Sequence, residues 1–171
     1  GMKLGTRPED LNIENPELIR SIHAKYAAAG SRVVNANTFG ASPHKLADSK
    51  YTLEEVITAG IANCKQAVAP YGALVTLDVG PLGELLEPSG TLAFEDAVAE
   101  YGRIVRAGVA AGADILYFET FTDLYEMKAA LLAAKENSTL PIMASMSFEA
   151  NGRTFTGCTV ESFAATARGL G

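Results

Sequence analysis

The sequence predicts an α/β fold in which parallel strands alternate with helices. Three observations carry the prediction. Short apolar runs alternate along the chain with longer segments of 3-4 apolar spacing, the order of a β/α sheet rather than of separate α and β regions. The runs start near Arg32, Ala73, Asp114 and Pro141, about 41, 41 and 27 residues apart, which is the spacing of (β/α) repeats. Each run also ends in polar side chains, as a strand does when it is buried on both faces and opens at the mouth of the sheet.

The elements follow in order. Asn15 and Pro16 open the first helix as N-cap and first helical residue, Ile19 (or Leu18), Ile22, Tyr26 and Ala29 form its apolar stripe, and Gly30 closes it. A strand is predicted over Arg32–Asn37, breaking up at Thr38-Phe39-Gly40. Thr52 and Glu55 make a capping box for a helix running to about Ala69, in which Cys64 shares a face with Leu53, Ile57 and Ile61. A strand over Ala73–Leu77 ends in Asp78, followed by an unusually long Gly- and Pro-rich loop from Gly80 to Gly90. Phe94, Val98, Tyr101 and Val105 mark the next helix, which Gly112 closes.

The stretch Asp114-Ile115-Leu116-Tyr117-Phe118-Glu119 is the most informative part of the chain: four apolar or aromatic residues run straight into a carboxylate. A helix then starts at Asp123 and buries Leu124, Met127, Leu131 and Ala134. Pro141–Met146 is a fourth strand, followed by a hairpin-like Asn151-Gly152 and a last helix from about Thr159. All four strands should be joined by right-handed crossovers. No internal repeat, low-complexity stretch or linker interrupts the chain, so one unit is expected.

Composition narrows the function. The 171 residues are 48% hydrophobic and 20% charged, with a net charge of −6. An acidic chain without a Lys/Arg cluster is a poor partner for nucleic acid or an anionic membrane. No apolar run approaches the roughly 18 residues of a bilayer span, and residues from Met2 onward alternate too freely for a leader peptide, so a cytoplasmic location is expected. Cys64 and Cys158 are too far apart for a metal or redox pair, and His23 and His44 have no ligand spacing. His23, inside the first helix, reads as a solvated or packed histidine. No Gly-rich phosphate loop follows a strand, and no Lys at a strand end offers Schiff-base chemistry.

The polar strand ends are the candidate site: Asn35, Asn37 and Thr38; Asp78; Glu119 and Thr120; Ser145, Ser147 and Glu149. On one face of a barrel they would converge. Together they describe a shallow polar site for an ammonium and a carboxylate, with Glu119 and Asp78 as the ammonium partners. Each also has a plainer reading: Glu119 as a helix cap or ion-pair partner, Asn37 and Thr38 as loop braces, Asp78 as a turn former, Ser145 and Ser147 as core or loop hydroxyls. Nothing in the sequence fixes the separation of Glu119 from Glu149 as a glycosidase pair would require.

Asn37-Thr38-Phe39-Gly40-Ala41-Ser42, Gly80-Pro81-Leu82-Gly83-Glu84, Phe118-Glu119-Thr120 and Gly152-Arg153-Thr154-Phe155-Thr156-Gly157 resemble the homocysteine S-methyltransferase domain. So does the opening Pro8-Glu9-Asp10-Leu11-Asn12. The resemblance runs from about Gly5 to the end, and its Asn-Thr-Phe-Gly form is most similar to the N-terminal domain of cobalamin-dependent methionine synthases. It implies a (β/α)8 TIM barrel, of which residues 1–171 would supply about four central β/α units of an incomplete barrel. It also implies homocysteine as substrate, held as a thiolate on a zinc ion with three cysteine ligands, and a methyl group taken from methylcobalamin on another module to give methionine. By motif, Glu119 takes the substrate amino group, and Asn37, Thr38 and Asp78 line the same pocket.

The family's first strand, bearing Asp-Gly-Ala, and its zinc cysteines are not matched, so the expectation is that they lie before residue 1 and beyond Gly171. The chain alone should then be inactive, hold no zinc, and associate with itself or with the missing barrel part. Relatives using betaine, S-methylmethionine or a corrinoid protein as donor, and a non-catalytic barrel fragment acting as subunit or scaffold, are the alternatives.

Overall fold

The computed structural model describes residues 7–171; the first residues of the family resemblance, Gly5 and Thr6, lie outside that range. A short helix α1 (Leu11–Glu14) leads into α2 (Pro16–Ala28) and strand β1 (Val33–Asn35). Then follow α3 (Leu53–Val68), β2 (Leu74–Val79), α4 (Phe94–Ala110), β3 (Ile115–Phe121), α5 (Leu124–Asn137), β4 (Ile142–Met146) and α6 (Val160–Leu170). The four strands form one all-parallel sheet in sequence order β1-β2-β3-β4. That order arises when each crossover steps one strand in the same direction, as in a barrel wall.

Local chemistry sets the boundaries. The Asn15 side chain accepts the Leu18 N–H at 3.3 Å, and the Thr52–Glu55 capping box is complete, with both reciprocal hydrogen bonds formed. Asp123 caps α5 by accepting the Tyr125 N–H at 3.1 Å, and Thr159 caps α6 through Ser162 N–H at 3.2 Å. The turn at Asn151-Gly152 is present, with Gly152 at φ 73°, a left-handed conformation that glycine adopts without steric cost.

The core lies between the sheet and the helices. Val34, Val75, Leu77, Val79, Leu116 and Phe118 point one way from their strands into it, against Ile57, Ile61, Tyr101, Val105, Met127 and Ala130. Phe118 packs edge-on against both Tyr101 and Phe121, with ring centroids 6.2 Å apart in each case. Val33, Leu74 and Met143, on the opposite face, are exposed. The helices therefore cover one side of the sheet, while the other, concave side is exposed at these positions and buried at Thr76 and Ile115.

Two expectations need correction. The predicted stripe of the first helix is not its buried face: Ile19, His23 and Ala27 are buried, whereas Ile22 and Tyr26 are 40% and 61% exposed. They face a groove beside the free edge of β1 instead of a neighbouring strand. The third strand does not stop at the carboxylate but continues to Phe121. It does so through a bulge, described next, that period-2 reasoning does not anticipate.

Candidate functional site

The carboxyl ends of β2 and β3 bring two acids together. Asp78 lies in register with Tyr117 on β3 and is 6% exposed, with its Oδ1 buried and without a hydrogen-bond partner. Glu119 lies two residues beyond Tyr117 on β3, on the same face of the sheet as Asp78. Burial first, and the facing Glu119 second, push Asp78 up to about 8, against a downward pull from the Asn35 amide. Among the described residues neither acid is ion-paired with a Lys or Arg.

A β-bulge aims Glu119. Phe118 pairs with Ala144 and Phe121 with Met146, so Glu119 and Thr120 together oppose the single residue Ser145. Thr120 takes φ 57°, a left-handed conformation that strains a β-branched residue by about 1–3 kcal/mol. Its N–H, displaced from the ladder, donates to Ser145 Oγ at 3.1 Å, and that oxygen also lies 3.0 Å from the Tyr117 hydroxyl. The extra residue lets Phe118 and Phe121 both point into the core while Glu119 lies on the opposite, concave face, the one that carries Asp78. Two phenylalanines three apart depart from strand alternation once both are known to face the core.

The loop after β1 braces this arrangement. Thr38 Oγ donates to the Asp78 carbonyl at 2.8 Å and accepts the Asp78 N–H at 3.1 Å. Thr38 is 1% exposed, and its hydroxyl holds the Asp78 main chain in place. Asn37 donates through Nδ2 to the Pro8 carbonyl at 2.7 Å and to Asn12 Oδ1 at 2.9 Å. It borders the cavity, but its amide nitrogen ties the N-terminal segment to the loop. Gly60 of α3 lets this happen: a Cβ there would stand 2.7 Å from Asn12 Nδ2 and 2.9 Å from Thr38 Cγ2. Glu9 completes the brace by accepting the Gly40 N–H at 2.7 Å.

A cavity of about 450 Å³ opens beside Asp78 along β1, lined by Asn35, Asn37, His23, Ile22 and Tyr26 among others. His23 is buried with Nε2 unpartnered, and burial lowers its pKa, so the imidazole is neutral. Two buried polar atoms without partners thus border one cavity, Asp78 Oδ1 and His23 Nε2. Such groups are rare enough in folded proteins to need a ligand, a solvent molecule or another reason.

Another buried acid escaped sequence reasoning. Glu126 on α5 is 3% exposed; its Oε1 accepts the Leu82 N–H at 2.8 Å and the Tyr101 hydroxyl at 2.9 Å. It clasps the loop after Asp78 to α4 and α5. Burial raises its pKa, against the downward pull of those two bonds. Ala130, four residues on along the same helix face, is buried too.

These residues do not fit a metal. Among the described residues no three His, Cys, Asp or Glu side chains cluster as ligands would. Cys64 is buried, with its sulfur 3.8 Å from the Val34 carbonyl and its thiol pushed up to about 12 by burial. Cys158 is half-buried before α6, and burial raises its pKa too. Both are the reverse of activated thiolates.

The family model described as homocysteine S-methyltransferase matches residues 3–170. Crystal structures of the homocysteine methyltransferase MmuM from Escherichia coli share the fold. The metallated form superposes with a TM-score of 0.85 at 20% identity, over 99% of this chain and 66% of that one. The oxidized form gives 0.88 at 23% identity, over 99% of this chain and 65% of that one. The chain thus spans just under two thirds of those proteins' length, and the open sheet is part of a (β/α) barrel. No helix among the described residues is long and apolar enough to cross a membrane.

Proposed function

Because the chain belongs to the homocysteine S-methyltransferase family, we propose that its concave face binds the amino-acid end of homocysteine within an enzyme that methylates the homocysteine sulfur. The observation that carries this reading is the pair of acids at the ends of β2 and β3. A buried carboxyl with an unpartnered oxygen, facing a second carboxyl and no cation, lacks the partner an α-ammonium group would be. Glu119 is the principal contact, Asp78 the second, and Asn37 borders the pocket, while Thr38 fixes Asp78 from behind.

Methionine synthase chemistry, with methylcobalamin as donor on a separate module, is the finer form of the proposal. It rests on the Asn37-Thr38-Phe39-Gly40 motif; betaine, S-methylmethionine or corrinoid-protein donors would use the same amino-acid site. A zinc ion, when bound, supplies the sulfur as a thiolate, and its ligands would be groups other than those described here. The free edges of β1 and β4 and the exposed Val33, Leu74 and Met143 form the surface that further barrel strands or a second copy would cover. Unless covered in that way, these units alone would be inactive.

Replacing Glu119 by alanine in the full-length protein is expected to weaken homocysteine binding by about 1.5–3 kcal/mol, the usual worth of a hydrogen bond to a charged group. Isothermal titration calorimetry would read this as a rise in Kd of roughly 10- to 150-fold. An unchanged Kd would remove Glu119 from the site.

A further inference from the structure

We propose that Asp78 and Glu119 hold one proton between them while the site is empty and release it to solvent when a ligand ammonium enters, so that amine binding is coupled to proton release. This rests on the amino-acid-binding reading above and specifies how the same site handles charge.

The geometry leads to it directly. Asp78 is buried, and Glu119 shares its face of the sheet from the neighbouring strand, two residues beyond the register partner Tyr117. Neighbouring acids without a cation repel when both are ionised, and a shared proton removes the repulsion. The groups facing Asp78 offer no cation. Glu119 approaches from β3, Asn35 from β1, and the Thr38 hydroxyl is spent on the Asp78 main chain. The Glu9 carboxylate adds a weaker like charge from ahead of α1, and His23 borders the same cavity from α2 as a neutral imidazole. Asp78 Oδ1 remains without a partner. An ammonium placed between the acids would replace the proton in its electrostatic role and add donors for the vacant oxygen. The pair changes from one negative charge to two, the ligand brings one positive charge, and one proton passes to the buffer. Burial and the neighbouring Glu119 raise Asp78 to about 8, so the pair holds a proton at neutral pH that is available for release.

The test uses the full-length protein and L-methionine, which carries the ammonium and carboxylate but no thiol whose own ionisation would confuse the count. Calorimetry at pH 7 in two buffers of different ionisation enthalpy should show net proton release, approaching one proton per methionine bound. Asp78→Asn should bring the count close to zero, and His23→Gln should leave it unchanged. Infrared difference spectra of the wild-type protein provide a readout independent of any variant's folding: adding methionine should abolish the carbonyl band of one protonated carboxylic acid. Binding with no proton release and no loss of that band overturns the inference while leaving the amino-acid site standing. Proton release that disappears in His23→Gln also overturns it. Failure of both methionine and homocysteine to bind removes the underlying reading, and the inference with it.

Discussion

Glu126→Ala is expected to destabilise the protein by about 2–4 kcal/mol, whereas Glu126→Gln should stay within about 1 kcal/mol of wild type. Both hydrogen bonds to this side chain end on the same oxygen, Oε1, from the Leu82 N–H and the Tyr101 hydroxyl. Glutamine can present its carbonyl oxygen there and keep both bonds. Alanine leaves two buried donors without partners, each costing about 1–3 kcal/mol, and opens a void between α4 and α5. Part of that loss is offset because a carboxylate whose pKa is raised by burial no longer has to be desolvated. The readout is denaturant unfolding of the two variants at neutral pH. Alanine and glutamine variants of equal stability would show that the Glu126 clasp does not hold the loop after β2.

Asp78→Asn should change the pH dependence of stability more than its magnitude at any single pH. The folded protein holds the Asp78 proton up to about pH 8, whereas an unfolded aspartate loses it near pH 4. The folded state therefore binds more protons between those values, and this stabilisation is complete below about pH 4 and lost as pH rises through 8. At 1.36 kcal/mol per unit the upper limit is on the order of 5 kcal/mol. Asparagine is neutral throughout and removes that slope, so the variant should gain on wild type from pH 5 to 8 and be the more stable protein above pH 8. Urea unfolding at several pH values gives the comparison. Parallel stability curves for the two proteins would place the Asp78 proton elsewhere.

Most of the fold was legible because its signals are local. Asn15, Thr52 with Glu55, Asp123 and Thr159 cap their helices through side-chain bonds to nearby amides, and the apolar strand runs are too short to be helices. The strand ends with their acids were visible for the same reason. What was hidden depends on groups far apart in sequence. Thr38 and Asp78 bond each other across 40 positions, Glu126 reaches Leu82 across 44, and no periodicity encodes either pairing. The bulge at Glu119–Thr120 lay between these cases, since Phe118 and Phe121 announce it only when their shared core face is known. The first helix misled for a physical reason. Its apolar stripe faces the groove along β1, so hydrophobic spacing identified a face but not whether anything covers it.

Two acids receiving an amino group should discriminate sharply against a ligand from which that group has been removed. L-homocysteine and 4-mercaptobutanoate share the thiol, the chain length and the carboxylate, and differ only in the ammonium. Their dissociation constants for the full-length protein, measured side by side, should favour homocysteine by at least about tenfold, the lower end of what a charged hydrogen bond contributes. That preference should largely vanish in Glu119→Gln. Equal affinities for the two ligands in the wild-type protein would contradict the account.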